Sequence, residues 1–106
     1  MNVTTLRNVG LNKGTHRIWL EGNKLDLCGF CAGVRYTVKV NRETIKLTLC
    51  EDGEKRVMAK TIDPDLEYKQ PIIDIHNTGL GVFLDGAVQV TVTYKVNEIT
   101  IKRVKP

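Results

Sequence analysis

Arg35, Lys39 and Lys46 stand on two alternating segments, Val34–Val40 and Thr44–Leu49. They sit opposite an apolar stripe of Val34, Tyr36, Val38, Val40, Ile45, Leu47 and Leu49. Period-two alternation is the pattern of a half-buried strand. The three cations are therefore expected on one solvated face, with Arg42 beside them in the connecting Asn41-Arg42-Glu43. Such a patch attracts phosphates as point charges and holds a nucleic acid by its backbone without reading its bases. The competing explanation is plain: lysines on a solvated strand also keep it soluble and protect sheet edges. The later alternating pair offers Gln89, Thr91, Thr93 and Lys95 at the corresponding places, so the charge is lopsided.

Other groupings carry weaker chemistry. Cys28-x2-Cys31, with Cys50, His16 and His76 elsewhere, has the bite of half a zinc site. Structural sites use a second matched pair, so buried thiols are expected instead, and no metal or other cofactor is assigned. Asp74-x-His76 and the Asp63/Asp65 pair are the acid clusters that a hydrolase would use, but their spacing supplies no nucleophile. Asp63-Pro64-Asp65 is ordinary turn chemistry, and no catalytic residue is assigned. Gly79-x-Gly81 followed by Gly86 lacks the spacing and the long helix of a dinucleotide fingerprint. Trp19 and Tyr36, lone aromatics within apolar patterns, are expected in the core.

The elements that must position these residues repeat. Arg17–Leu49 and Ile72–Arg103 each contain an apolar strand (Ile18, Leu20; Ile73, Ile75) and a short stretch ending in Phe and Gly (Phe30, Gly33; Phe83, Gly86). Each then continues into an alternating hairpin (Val34–Leu49; Val88–Ile101). Repetition on this scale points to one small β-rich barrel of two pseudo-symmetric hairpin units, with one or two short helical turns. The organisation expected is a single domain, 1–106: an N-terminal arm or loop with room for one short strand over 1–15, a first hairpin unit over 16–50, a connecting strand and turn over 51–70, and a second hairpin unit over 71–106. Asn23–Gly29 suits one or two helical turns pinned by Leu25 and Phe30 and closed by Gly29, while only a turn is expected over Asn77–Val82.

Composition bounds the rest. The 106 residues suit one domain with a modest core, 42% of them are hydrophobic and 26% charged, which argues against disorder. No apolar run approaches the ~18 residues of a membrane span, and no signal-peptide pattern opens the chain. A cytoplasmic setting without membrane contact is expected. The formal net charge of +4 is a mild excess, compatible with nucleic acid or with an acidic protein surface.

Arg17-Ile-Trp-Leu, Gly22, Leu25, Gly29-Phe30, Gly33, Arg35-Tyr36-Thr37-Val38 and Ile45-x-Leu47 together resemble the SpoVT/AbrB-like swapped-hairpin superfamily, most closely its SymE-like toxin branch. The resemblance implies hairpin units paired into an interleaved barrel, here supplied twice by one chain, and a DNA-binding or toxin-like role. It implies a DNA-backbone contact for Arg17 at the head of the first strand. At the helix, where AbrB-type regulators carry a basic pair, this chain has Leu25 and Asp26, with Lys24 adjacent.

The expected function is thus a small non-enzymatic nucleic-acid-binding protein contacting DNA or RNA phosphates through Arg17, Lys24, Arg35, Lys39, Arg42 and Lys46. The alternative is a counter-defence protein (anti-CRISPR or anti-restriction) of a phage or mobile element that binds a protein target, and an RNase-type toxin is third. Because the second copy's stripe can cover the first's, a folded monomer is expected, with any homodimer formed weakly through an exposed strand edge.

Overall fold

The computed structural model describes residues 2–12, 14–76 and 79–104. Among these, ten strands and two short helices run in the order β1 (Asn2–Asn8), β2 (Gly10–Asn12), β3 (Thr15–Glu21), α1 (Asn23–Leu27), β4 (Arg35–Val40), β5 (Thr44–Leu49), β6 (Lys55–Arg56), β7 (Met58–Thr61), β8 (Lys69–Ile75), α2 (Leu80–Leu84), β9 (Gln89–Lys95) and β10 (Glu98–Arg103). The fold is mainly β, as expected. Its strands form two sheets packed about one core, a six-stranded sheet ordered β1-β9-β10-β5-β4-β6 and a four-stranded sheet ordered β2-β3-β8-β7.

Both orders are palindromic. Exchanging the first five strands for the last five, in sequence order, returns each sheet to itself. The registers obey the same exchange. At the centre of the large sheet Ile99 opposes Leu47 and Ile101 opposes Ile45, with Thr100 opposite Lys46 between them. At the centre of the small sheet Ile18 opposes Ile75 and Leu20 opposes Ile73, flanking Trp19 opposite Asp74. The duplication therefore spans more of the chain than the two hairpin units. The segment expected as a polar arm is β1 and β2, whose counterparts are β6 and β7. Glycines 10 and 14 suggested a loop, but Val3, Thr5 and Leu6 find partners on β9, contributed from almost the far end of the chain.

Each half lends its first strand to the other: β1 pairs with β9, and β6 pairs with β4. Between β1 and β2 the chain passes from one sheet to the other at Val9, whose N–H donates to the Val88 carbonyl at 2.8 Å. Between β6 and β7 it does so at Val57, whose N–H donates to the Val34 carbonyl at 2.9 Å. These corners tie the sheets together at both ends.

The alternation read from sequence decides the core. Tyr36, Ile45, Leu47, Val90, Val92, Tyr94, Ile99 and Ile101 face inward from the large sheet, and Ile18, Leu20, Ile73 and Ile75 from the small one. Val88, expected in the stripe, is 73% exposed and precedes β9. Leu25 and Phe30 pin α1 as expected, and the Phe30 N–H closes the helix on the Leu25 carbonyl at 2.8 Å. Gly29 takes φ 94° there, and a Cβ on it would come within 2.9 Å of Leu49. In the second half a helix forms where only a turn was expected, because Leu80, Phe83 and Leu84 bury a full apolar face. Asn77 and Thr78 of that expected turn lie outside the described residues. Phe30 and Phe83 are both buried, but the residue four places before Val88, as Phe30 is before Val34, is Leu84.

Two stability measurements follow. Phe30, wholly buried and edge-on to Tyr36 at 6.0 Å between ring centroids, should cost about 3–5 kcal/mol in chemical denaturation when changed to Ala. A Cβ at Gly53 would sit 2.4 Å from the Tyr36 carbonyl oxygen, whereas one at Gly14 meets nothing within 4 Å. Gly53→Ala should therefore exceed Gly14→Ala in cost by at least about 2 kcal/mol, the Gly14 loss being the strain of positive φ alone.

Candidate nucleic-acid interface

On the outward face of the six-stranded sheet the ladders set side chains in rows. One row runs Lys39, Lys46, Thr100, Thr93, Thr4 across β4, β5, β10, β9 and β1. A second runs Thr37, Thr48, Glu98, Lys95. A third places Thr44, Lys102, Thr91 and Leu6 side by side, and at the β4–β6 edge Arg35 lies opposite Arg56. The face thus carries Arg35, Lys39, Lys46, Arg56, Lys95 and Lys102 among threonines, against one carboxylate on these rows, Glu98.

Of the residues singled out from sequence, Arg35, Lys39 and Lys46 share this face. Arg42 does not join them. It sits at the β4–β5 tip, where Asn41 Oδ1 accepts the N–H groups of Glu43 and Thr44 and so tightens the turn. Lys24 is exposed on α1, which packs on the small sheet. Arg17 lies on the small sheet, where Nε donates to Asp74 Oδ1 at 3.2 Å, Nη2 bonds Oδ2, and the guanidinium stacks 4.8 Å from the Trp19 ring centroid. An arginine held by a carboxylate and an indole is an anchor between β3 and β8. The backbone contact that the resemblance implies for it has no geometric support here.

Arg56 and Lys102 were missed. Lys102 follows from the same alternation that gave Lys46, carried one hairpin further. Arg56 follows from no local pattern, since β6 is two residues long and its place beside Arg35 is set by pairing alone.

Two contacts on the face are costly. Lys39 opposes Lys46 directly, and Arg35 opposes Arg56. Like charges at directly opposed positions destabilise a sheet. Relief is partial: Glu98 Oε1 lies 3.7 Å from Lys46 Nζ, an exposed pair worth little, and Arg35 Nη1 donates to the Gly53 carbonyl at 3.3 Å.

Cys28 is buried and its thiol turns to the Lys24 and Leu25 carbonyls, while Cys31 and Cys50 are exposed, contrary to the expectation of buried thiols. Desolvation raises the Cys28 pKa, and desolvation together with the Asp26 carboxylate raises that of Cys31. Neither is therefore poised as a thiolate. Among the described residues no three His, Cys, Asp or Glu side chains converge as metal ligands. Asp74 Oδ2 lies 3.5 Å from His76 Nδ1, but the carboxylate is engaged by Arg17. Tyr36 is buried, whereas Trp19 is half-buried over Arg17 instead of lying in the core.

No family model, curated protein or solved structure matches the chain. Among the described residues no helix is long and apolar enough to cross a membrane.

Removing one charge of an opposed pair should stabilise the protein. Lys39→Thr is expected to gain about 0.2–1 kcal/mol in chemical denaturation at low salt, the gain shrinking as salt is added. A second expectation concerns Tyr36, whose phenol is pushed above its ordinary range by burial and by the Asp74 charge. The neutral phenol fits the fold and the phenolate does not. This contribution is intact below the unfolded tyrosine pKa of about 10 and is lost as pH rises through the folded value. Tyr36→Phe should flatten the alkaline fall in thermal midpoint.

Proposed function

We propose that the protein is a non-enzymatic nucleic-acid-binding module of the AbrB/SymE-like type, acting in the cytoplasm, with the outward face of the six-stranded sheet as its binding surface. The observation that carries this reading is the direct apposition of Lys39 with Lys46 and of Arg35 with Arg56. In the isolated protein each pair repels. A polyanion laid across the strands neutralises both at once, so the arrangement that costs stability alone favours the complex. The threonines between them offer hydroxyls of the kind that bond phosphate and sugar oxygens.

The rows carry no aromatic side chain, so they provide charge and hydrogen bonds but no platform for unstacked bases. The nucleic acid this favours is a duplex, held by its backbone without base recognition. Relative to the family pattern, the contact surface moves from the helix and the Arg17 strand head to the sheet.

Retardation of duplex DNA and RNA across a salt series tests the reading. The logarithm of the association constant should fall linearly with the logarithm of salt, and Lys39→Ala and Lys46→Ala should each make the slope shallower by about one. Arg17→Ala should leave the slope unchanged, because its charge is already paired. Single strands should bind more weakly than duplex. No retardation at low salt would reject the nucleic-acid reading and leave an acidic protein surface, as in a counter-defence protein, as the partner for these charges.

A further inference from the structure

Val9 donates its N–H to Val88, in step with the β1–β9 ladder, so Val3, Thr5 and Arg7 direct their backbone groups to β9. Thr4, Leu6 and Asn8 direct theirs to the other side. Among the described residues no strand pairs with β1 there. An open edge of this kind is a template for another strand.

The other edges of the two sheets are guarded. β6 is two residues long and both are cations, β2 is three residues long, and β7 is four residues long with Lys60 within it. β1 has seven residues, no proline, and Arg7 as its one charge. Leu6 is 57% exposed on it.

We infer that β1 is a self-association edge, pairing antiparallel with β1 of a second copy about a two-fold axis at Leu6. Three features select a second copy as the occupant. In this register Leu6 meets the partner's Leu6, and Thr4 meets the partner's Asn8, so the exposed apolar side chain is covered and its neighbours are matched in polarity. Arg7 meets the partner's Thr5, so no charge faces a like charge. Pairing β1 with the far edge of another copy would engage only the two residues of β6, whereas the symmetric contact pairs the five residues Thr4–Asn8 with the same five of a second copy. The result is a closed dimer whose large sheets run on across the axis.

The test uses the full chain without nucleic acid, so its outcome is independent of the binding proposed above. Light scattering over a concentration series should show the mass rising towards twice that of the chain. Leu6→Pro removes an N–H that points away from β9 and leaves the β9 ladder whole. Leu6→Lys sets two lysines against each other across the axis. Both should remain monomeric at concentrations where the unchanged protein is dimeric, with strand content by circular dichroism unaltered. Monomeric mass for the unchanged chain at every concentration would overturn the inference, as would a dimer that persists in Leu6→Lys.

Discussion

The antiparallel pairing of β5 with β10 is the contact on which the rest of the molecule depends. It sets Ile45 against Ile101 and Leu47 against Ile99 at the middle of the large sheet, where the two halves meet. A lone hairpin with one apolar face has nothing to bury it against. Here each half supplies the other's missing neighbour, and the matching β3–β8 contact closes the opposite side of the core. The twofold relation is an economical answer to a small chain's shortage of core: equivalent inward positions are used twice, Ile45 and Leu47 in one half and Ile99 and Ile101 in the other.

The symmetry holds for the core and is abandoned on the surface. Lys39, Thr37 and Arg35 on β4 stand where β9 carries Thr93, Thr91 and Gln89, so β4 is cationic at positions where its counterpart is uncharged. The hairpin ends differ as well. The Asn97 N–H donates straight to the Cys28 carbonyl at 2.8 Å, docking the β9–β10 turn on α1. At the other end Arg103 stands between the Arg42 and Phe83 carbonyls, and a cleft of about 820 Å³ lined by Val40 and Val82 remains between the β4–β5 turn and α2. Positions that hold the two halves together kept their character, while positions facing solvent diverged.

What could be read from the sequence follows the same division. Both hairpins and the small-sheet strands announce themselves by alternation, because a side-chain period of two is fixed by the backbone. Leu25, Gly29 and Phe30 announce α1 by their spacing. The β1 strand was hidden because its partner lies almost a chain length away, and pairing at that distance leaves no local trace in Asn2–Asn8. Arg56 was hidden for the same reason. Arg17 stands on the strand where the resemblance puts it, but a resemblance carries a residue's position and not the carboxylate that this chain sets beside it at Asp74. Arg35, Lys39 and Lys46 were found together because all three belong to one local hairpin.

The exchange of first strands between halves has a consequence for how the chain comes to be folded. Asn8 lies opposite Gln89 and Val3 opposite Tyr94, so β1 must wait for β9, a strand made much later. During synthesis neither half can finish alone, and the edge of β5 stays unpaired until β10 leaves the ribosome. Contacts so distant in sequence slow folding and make it concerted. A shortened product lacking β9 and β10 would be no half-sized working domain but an open sheet, the kind of fragment that quality-control proteases remove. The architecture commits the cell to the whole chain.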